Sequence, residues 1–198
     1  MKKYIITTCI TLLFLGLFSS CEEDTTLPPM YPDVYSEDFT DTPPFAFQDW
    51  VLFSQAGTKS WFKGSFSGND YIEFSSFGSG EALNIGWAIT PAYNLDILPQ
   101  KALIFQSAQH HATSTENKFE LLVSTNFNGT DVLGATWVPL KFKLPTYTNG
   151  TNYDMVNSGR VSLSAFSGNI YIAFRVTGNG LQNSAVSGGF QVDNIKLF

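Results

Sequence analysis

Several short stretches of the chain alternate between apolar and polar positions with a period of two. In KFELLVST, Phe119, Leu121 and Val123 share one face. The stretch DYIEFSSF alternates in the same way. In NIYIAFRVTG the alternation places four apolar side chains on one face: Ile170, Ile172, Phe174 and Val176. This period is typical of half-buried β-strands.

Clusters of turn-forming residues separate these stretches. They read SGND, GSGE, NGTD, TNGTN and TGNG, and NFNGTD (residues 126–131) in particular predicts a hairpin turn. No segment carries a convincing helical period of apolar residues. The pattern predicts an all-β fold with two antiparallel sheets packed face to face.

The last alternating stretch, FQVDNIKLF, contains a shift of one residue. Phe190 and Val192 are followed by Ile195 rather than by an apolar residue at position 194. Such a shift would turn the following side chains to the other face unless a β-bulge absorbs it. We therefore expect a bulge next to Asp193.

The N-terminal residues predict export and lipid attachment. Two lysines precede an apolar run of about 14 residues, which is shorter than the roughly 20 of a membrane-spanning helix. The run ends in FSSC, which resembles the lipobox of bacterial lipoproteins and implies lipidation of Cys21; the alternative is a secreted protein with an incidental cysteine. The acidic residues 22–24 resemble a surface-export tag, with a solvated tether as the alternative.

These features predict three segments and a location. Residues 1–20 would form a signal peptide, residues 21–33 a lipidated, acidic and proline-rich tether, and residues 34–198 the folded domain. The lipid would anchor the protein in the bacterial outer membrane, with the domain displayed at the cell surface.

Charge and cysteine content exclude several classes of function. Removing residues 1–20 removes two lysines and no acidic residue, which leaves nine basic and 17 acidic side chains and a net charge of −8. Nucleic-acid binding requires a basic surface, so we exclude it. Because Cys9 leaves with the signal peptide and Cys21 carries lipid, no thiol remains for disulfides, catalysis or a cysteine-ligated metal.

Seven segments cover nearly the whole predicted domain: YSEDF (35–39), SWFKGSFSGNDYIEFSSF (60–77), GWAITPAYNL (86–95), FELLVST (119–125), ATWVPLKFKLP (135–145), SGNIYIAFRVTG (167–178) and FQVDNIKLF (190–198). In their order along the chain, these segments resemble the choice-of-anchor J domain, a jelly-roll module of bacterial surface lipoproteins. The resemblance implies a jelly-roll β-sandwich similar to MAM domains and to carbohydrate-binding modules, and it implies no shared catalytic chemistry.

The resemblance also implies a candidate metal site. In related jelly rolls an acid of the first strand and one of the last share a calcium ion, and the residues here would be Glu37, Asp38 and Asp193. Thr40 stands where the family often has an acid. The alternative is that Asp193 accepts backbone hydrogen bonds at the bulge without a metal.

No catalytic constellation is visible. GSFSG lacks the central serine of a nucleophile elbow, and no HExxH motif is present. His110 and His111 are adjacent, so on a strand they would point to opposite faces and could not share a metal; we interpret them as part of a solvated loop edge. A glycosidase needs two carboxylates, and nothing nominates a pair.

Three residues are candidates for ligand binding. Trp61 and Tyr71 flank a Gly-Asn-Asp turn and could stack on sugar rings at the surface, although buried core packing is the commoner role of tryptophan. Arg175 would either line a groove or pair with an acid on a neighbouring strand. We therefore expect a non-catalytic binding or adhesion module, first for glycans, with a surface-protein partner as the alternative and a hydrolase as a weaker one.

Overall fold

The alternating stretches form strands throughout the part of the chain that the computed structural model describes, residues 33–40, 48–145 and 152–198. One short 3-10 helix, Leu95–Ile97, is present there besides the strands. The strands of these residues are β1 (Tyr35–Glu37), β2 (Val51–Ala56), β3 (Phe62–Phe66), β4 (Asn69–Ser75), β5 (Asn84–Ile89), β6 (Tyr93–Asn94), β7 (Ala102–His110), β8 (Lys118–Ser124), β9 (Val138–Leu140), β10 (Val156–Asn157), β11 (Val161–Ser162), β12 (Asn169–Gly178) and β13 (Gly189–Leu197).

The strands form two antiparallel sheets. The first has the order β10-β7-β13-β4-β3, with β1 also paired to β13 and β11 to β7. The second has the order β2-β5-β12-β8-β9, with β6 paired to β12. The predicted all-β sandwich of two antiparallel sheets is confirmed.

The inner faces of the two sheets enclose the main core. The alternation read from the sequence assigns these faces correctly, because the alternating apolar side chains of β8 and β12 are buried there: Phe119, Leu121, Val123, Ile170, Ile172, Phe174 and Val176. The largest fully buried side chains include four phenylalanines that come from both sheets: Phe74, Phe105, Phe174 and Phe190.

The first and last strands lie side by side. Tyr35 of β1 pairs with Leu197 of β13. The pairing of β13 with β7 shifts register between Asp193 and Lys196, and Asn194 has φ 50°. The predicted bulge is confirmed, and the residue that absorbs it adopts the left-handed backbone region that asparagine tolerates.

A second apolar cluster covers the outer face of the second sheet. It is formed by the loop of residues 125–137, which connects β8 to β9, and by the strands beneath it. NFNGTD therefore belongs to a long covering loop and does not form the short hairpin turn that its sequence predicts. The buried members of this cluster are Trp87, Ile89, Leu122, Phe127, Val132 and Ala173.

The predicted signal peptide, Cys21 and tether up to residue 32 lie outside the described residues. Among the described residues, no helix has the length and apolarity needed to span a membrane.

Candidate functional site

The outer face of the first sheet carries two adjoining cavities of about 710 and 530 Å³. Glu73 and Tyr153 line both of them. Phe66 and Phe77 stand at the surface with 75% and 73% of their areas exposed. We call this surface the aromatic face and define it by the residues Phe62, Phe66, Tyr71, Glu73, Phe77, His110, Tyr153 and Gln191.

A hydrogen-bonded polar cluster occupies the middle of the aromatic face. His110 Nε2 lies 3.1 Å from Glu73 Oε1, and Gln191 Nε2 donates to Glu73 Oε2 at 2.7 Å. Burial acts to raise the pKa of Glu73, but the hydrogen bonds from His110 and Gln191 outweigh it and hold that pKa below its usual range. Glu73 is therefore an ionised acceptor fixed between two neighbours.

Two glycines make room for the rings of this face. Gly64 of β3 lies opposite Tyr71, and a Cβ on it would stand 2.4 Å from Tyr71 Cε2. A Cβ on Gly189 would stand 2.2 Å from His110 Nε2. A glycine inside a strand often marks such a close approach. Burial together with the charge of Glu73 raises the pKa of Tyr71, so its hydroxyl stays protonated near neutral pH.

The ring of Tyr153 closes one side of the aromatic face. It stacks on His110 with the ring centroids 5.0 Å apart, and its backbone N–H donates to the carbonyl of Gln109 at 2.8 Å. Tyr153 has φ 68°, in the left-handed region that a bulky side chain rarely adopts. Such backbone strain concentrates at functional sites, because the surrounding contacts must maintain it.

The structure separates the three residues predicted to bind a ligand. Tyr71 lies on the aromatic face. Trp61 does not lie at the surface: only 2% of it is exposed, and it packs in the main core against Phe74 and Phe119. The prediction of an exposed Trp61 is therefore wrong. Trp61 immediately precedes Phe62, whose side chain points outward, so the alternation of the strand turns the tryptophan inward.

Arg175 lies on the outer face of the second sheet. Its Nε and Nη2 donate to the two carboxylate oxygens of Glu120, each at 2.7 Å. It also lines a separate cavity there. The predicted pairing of Arg175 with an acid on a neighbouring strand is therefore observed, and its role in ligand binding stays a prediction.

Asp193 sits at the bulge and is buried. Its Oδ1 accepts from the backbone N–H of Asn194 at 2.6 Å, and its Oδ2 accepts from the side-chain amides of Asn69 and Asn194 at 3.0 and 2.9 Å. Burial raises the pKa of Asp193, while the hydrogen bonds from Asn69 and Asn194 act in the opposite direction. Its oxygens thus already satisfy donors at the bulge.

The other two predicted calcium ligands are also engaged. Glu37 Oε1 accepts from the backbone N–H of Phe39 at 2.8 Å, and Asp38 Oδ1 accepts from the backbone and the hydroxyl of Thr40. Among the described residues no group of three or more His, Cys, Asp or Glu side chains converges in a way that could hold a metal ion. The donor set therefore fits calcium poorly as it stands, and the metal site remains a prediction.

Sequence reasoning missed most of the aromatic face. It assigned His110 to a solvated loop edge, but His110 ends β7 and is buried against Glu73, so that interpretation is wrong for His110 and holds only for the exposed His111. Glu73, Gln191 and Tyr153 had no local motif. The one available signal was a pair of glycines, Gly64 within β3 and Gly189 at the start of β13. A glycine inside a strand often marks the close approach of another group.

The fold has known relatives among solved structures. The K1 cleaved adhesin domain of Lys-gingipain from Porphyromonas gingivalis W83 superposes with a TM-score of 0.54 at 18% identity, covering 83% of this chain and 96% of that chain. The carbohydrate-binding module TmCBM27, solved in a study of mannan recognition, gives a TM-score of 0.51 at 13% identity and covers 85% and 98%. At these identities the likeness establishes the fold alone, and it confirms the predicted jelly-roll sandwich.

At the level of sequence, a family model described as "Domain of unknown function (DUF5017)" matches residues 50–197. No curated protein gives a significant match.

Proposed function

This chain belongs to the DUF5017 family, and we propose that its β-sandwich is a non-catalytic module that binds glycans along the aromatic face. The observation that carries the proposal is the arrangement of exposed aromatic rings around a preformed polar cluster. Binding sites for small ligands combine apolar and aromatic walls with a few fixed polar groups, as this face does.

The chemistry of the aromatic face suits a sugar. A pyranose presents apolar C–H surfaces, which Phe62, Phe66 and Tyr153 can cover, and hydroxyl groups, which both donate and accept hydrogen bonds. The ionised Glu73 offers an acceptor, which the buried Gln191 holds in place through its side-chain amide. Two adjoining cavities that share Glu73 leave room for more than one sugar unit.

The charge of the protein favours an uncharged glycan. The sequence carries a net charge of −6, and the part after residue 20 is more acidic still. Anionic polysaccharides would be repelled on approach, whereas neutral ones would not. Relatives in fold that include an adhesin domain and a mannan-recognising module are compatible with this role.

The cavities favour binding over hydrolysis. Glu73 is the one carboxylate among the described residues that line them, whereas a glycosidase of the common type needs two. We propose further that Cys21 anchors the module in the outer membrane of a bacterium and that residues 21–33 present it at the cell surface.

A glycan array probed with the purified protein tests the proposal. Neutral glycans should bind, and Phe66→Ala should weaken the best of them by about tenfold, a typical effect of removing an aromatic anchor. Ile97→Ala is the matched control, because Ile97 is also exposed but lines none of the described cavities. Binding that is absent, or unaffected by Phe66→Ala, would contradict the glycan function.

A surface-protein partner is the second candidate. The exposed side chains of Phe62, Phe66 and Phe77 give the aromatic face an apolar character that also suits protein association. Cross-linking on intact cells separates the two functions. A partner protein that the wild type captures and Phe66→Ala loses, together with a blank glycan array, would favour the second candidate.

A further inference from the structure

We infer that the outer face of the second sheet carries a second, separate binding site, which takes a single neutral pyranose ring through a pair of neighbouring hydroxyl groups. The site is the cavity of about 360 Å³ beneath and beside the loop of residues 125–137, which we call the loop pocket. It lies on the opposite side of the sandwich from the aromatic face, so it does not depend on the function proposed for that face.

The loop that forms this pocket is held in place by its own hydrogen bonds. Trp137 Nε1 donates to the carbonyl of Val132 at 2.8 Å. Asn126 Oδ1 accepts from the backbone of Thr136 at 2.9 Å, which ties the two ends of the loop together. The pocket is therefore preformed, and its volume falls near the lower end of the range of about 300–1,000 Å³ typical of small-ligand sites.

The floor of the loop pocket is aromatic. Trp87 is only 3% exposed and its ring lies under the guanidinium of Arg175, 4.8 Å away, so it supports Arg175 and is not itself open to a ligand. The ring of Trp137, 5.4 Å from that of Trp87, is half-buried, and Leu133 at the rim is 62% exposed. Trp137 and Leu133 can cover one apolar face of a sugar ring.

The polar wall presents donors and acceptors side by side. Arg175 and Glu120 form a bidentate ion pair, and their side chains are 29% and 30% exposed, respectively. The side-chain carbonyl of Gln55 accepts from Trp87 Nε1 at 2.9 Å, which fixes the side chain of Gln55 beside the pair and leaves its amide nitrogen as a further donor.

This arrangement matches neighbouring hydroxyl groups. Each hydroxyl of a sugar can donate to the carboxylate of Glu120 and accept from the guanidinium of Arg175, and the planar pair holds these groups in a fixed geometry. The two charges compensate each other, so the pocket suits a neutral ligand. An exposed ion pair contributes little to stability, so folding alone gives little reason for this geometry in the loop pocket.

Three of the four tryptophans provide a direct test. In ¹H–¹⁵N spectra of the full chain, the indole N–H signals of Trp87 and Trp137 report on the loop pocket, while Trp61 in the main core reports on the fold. The probes are the methyl pyranosides of mannose, galactose, glucose and xylose, titrated one at a time. At least one of them should shift the Trp87 and Trp137 signals and leave Trp61 unmoved.

Two variants assign the effect to the pocket. Arg175→Lys keeps the charge but removes the planar pairing, and it should weaken binding by about tenfold or more. Leu133→Ala alters an exposed side chain that folding does not need, and it should also weaken binding. Phe66→Ala on the aromatic face is the control and should leave the Trp137 shifts unchanged.

The inference is overturned if none of the four glycosides moves the Trp137 signal, or if Arg175→Lys and Leu133→Ala both bind like the wild type. Because the control variant lies on the aromatic face, failure of this site and failure of the function proposed for that face give different results.

Discussion

Truncating Trp61 should destabilise the domain without acting on ligand binding directly. The ring is buried in the main core, 5.9 Å from Phe74 and 6.5 Å from Phe119 between ring centroids. Trp61→Ala removes the largest side chain at this point and leaves a cavity that the surrounding phenylalanines cannot fill. Truncations of this kind cost about 3–5 kcal/mol.

The size of the effect can be converted into a melting temperature. For a domain of about 150–250 residues, each kcal/mol lowers the melting temperature by about 2–4 °C, so Trp61→Ala should lower it by roughly 6–20 °C. Trp61→Phe is the matched control. The smaller phenylalanine ring loses some packing. The substitution also removes the indole N–H of Trp61, which is buried and has no hydrogen-bond partner among the described residues. Because burying such a group costs about 1–3 kcal/mol, its removal offsets part of the lost packing.

The two variants should therefore differ widely, with Trp61→Phe within about 4 °C of the wild type. Thermal unfolding followed by circular dichroism measures both, and glycan binding is measured at a temperature at which each variant is folded. The reasoning is refuted if Trp61→Ala lowers the free energy of unfolding by no more than about 0.5 kcal/mol, as surface substitutions usually do, and at the same time loses glycan affinity. That result would place Trp61 at the surface.

Three further predictions concern the anchor, the bulge and the polar cluster. Cys21→Ser should release the protein from the membrane fraction, and a variant that stays bound to the same extent would contradict lipid attachment at Cys21. Asp193→Ala should destabilise the domain by about 1–3 kcal/mol, because it leaves buried donors at the bulge unpaired. Calcium added to the chelator-treated wild type should not raise the melting temperature. A calcium-dependent rise that Asp193→Ala abolishes would instead show a bound metal. Glu73 has a lowered pKa in the folded state, so its contribution to stability is present above the ordinary glutamate pKa of about 4.3 and is lost as the pH falls through the folded pKa. Glu73→Gln should therefore be less stable than the wild type at about pH 6, and this difference in stability should shrink by about pH 3. A difference that stays constant between these pH values would argue against the lowered pKa.

The sequence was informative wherever one side of a strand faces the core. The alternation in β4, β8 and β12 predicted which side chains are buried, because a period of two leaves a single choice once one face is apolar. The slip at Asp193 predicted the bulge for the same reason: a strand with a buried face cannot change register without a local irregularity.

The candidate sites depend on contacts between distant parts of the chain. Gln191 and Glu73 are 118 positions apart and His110 and Glu73 are 37 apart, and no local pattern marks any of these residues as a partner of another. Trp61 shows how little separates a surface tryptophan from a buried one, since its position differs from that of exposed Phe62 by a single residue.

The sequence by itself determined an all-β chain, the buried faces of its main strands and the irregular last strand, because these follow from local periodicity and from the chemistry of single residues. Only the tertiary structure decided which outer surfaces carry aromatic rings and which are covered. The order of the strands places Glu73, Gln191 and His110 side by side, and residues 125–137 pack over Trp87. Period-two patterning distinguishes the two faces of a strand, but it does not specify which neighbour or loop will lie on the outer one.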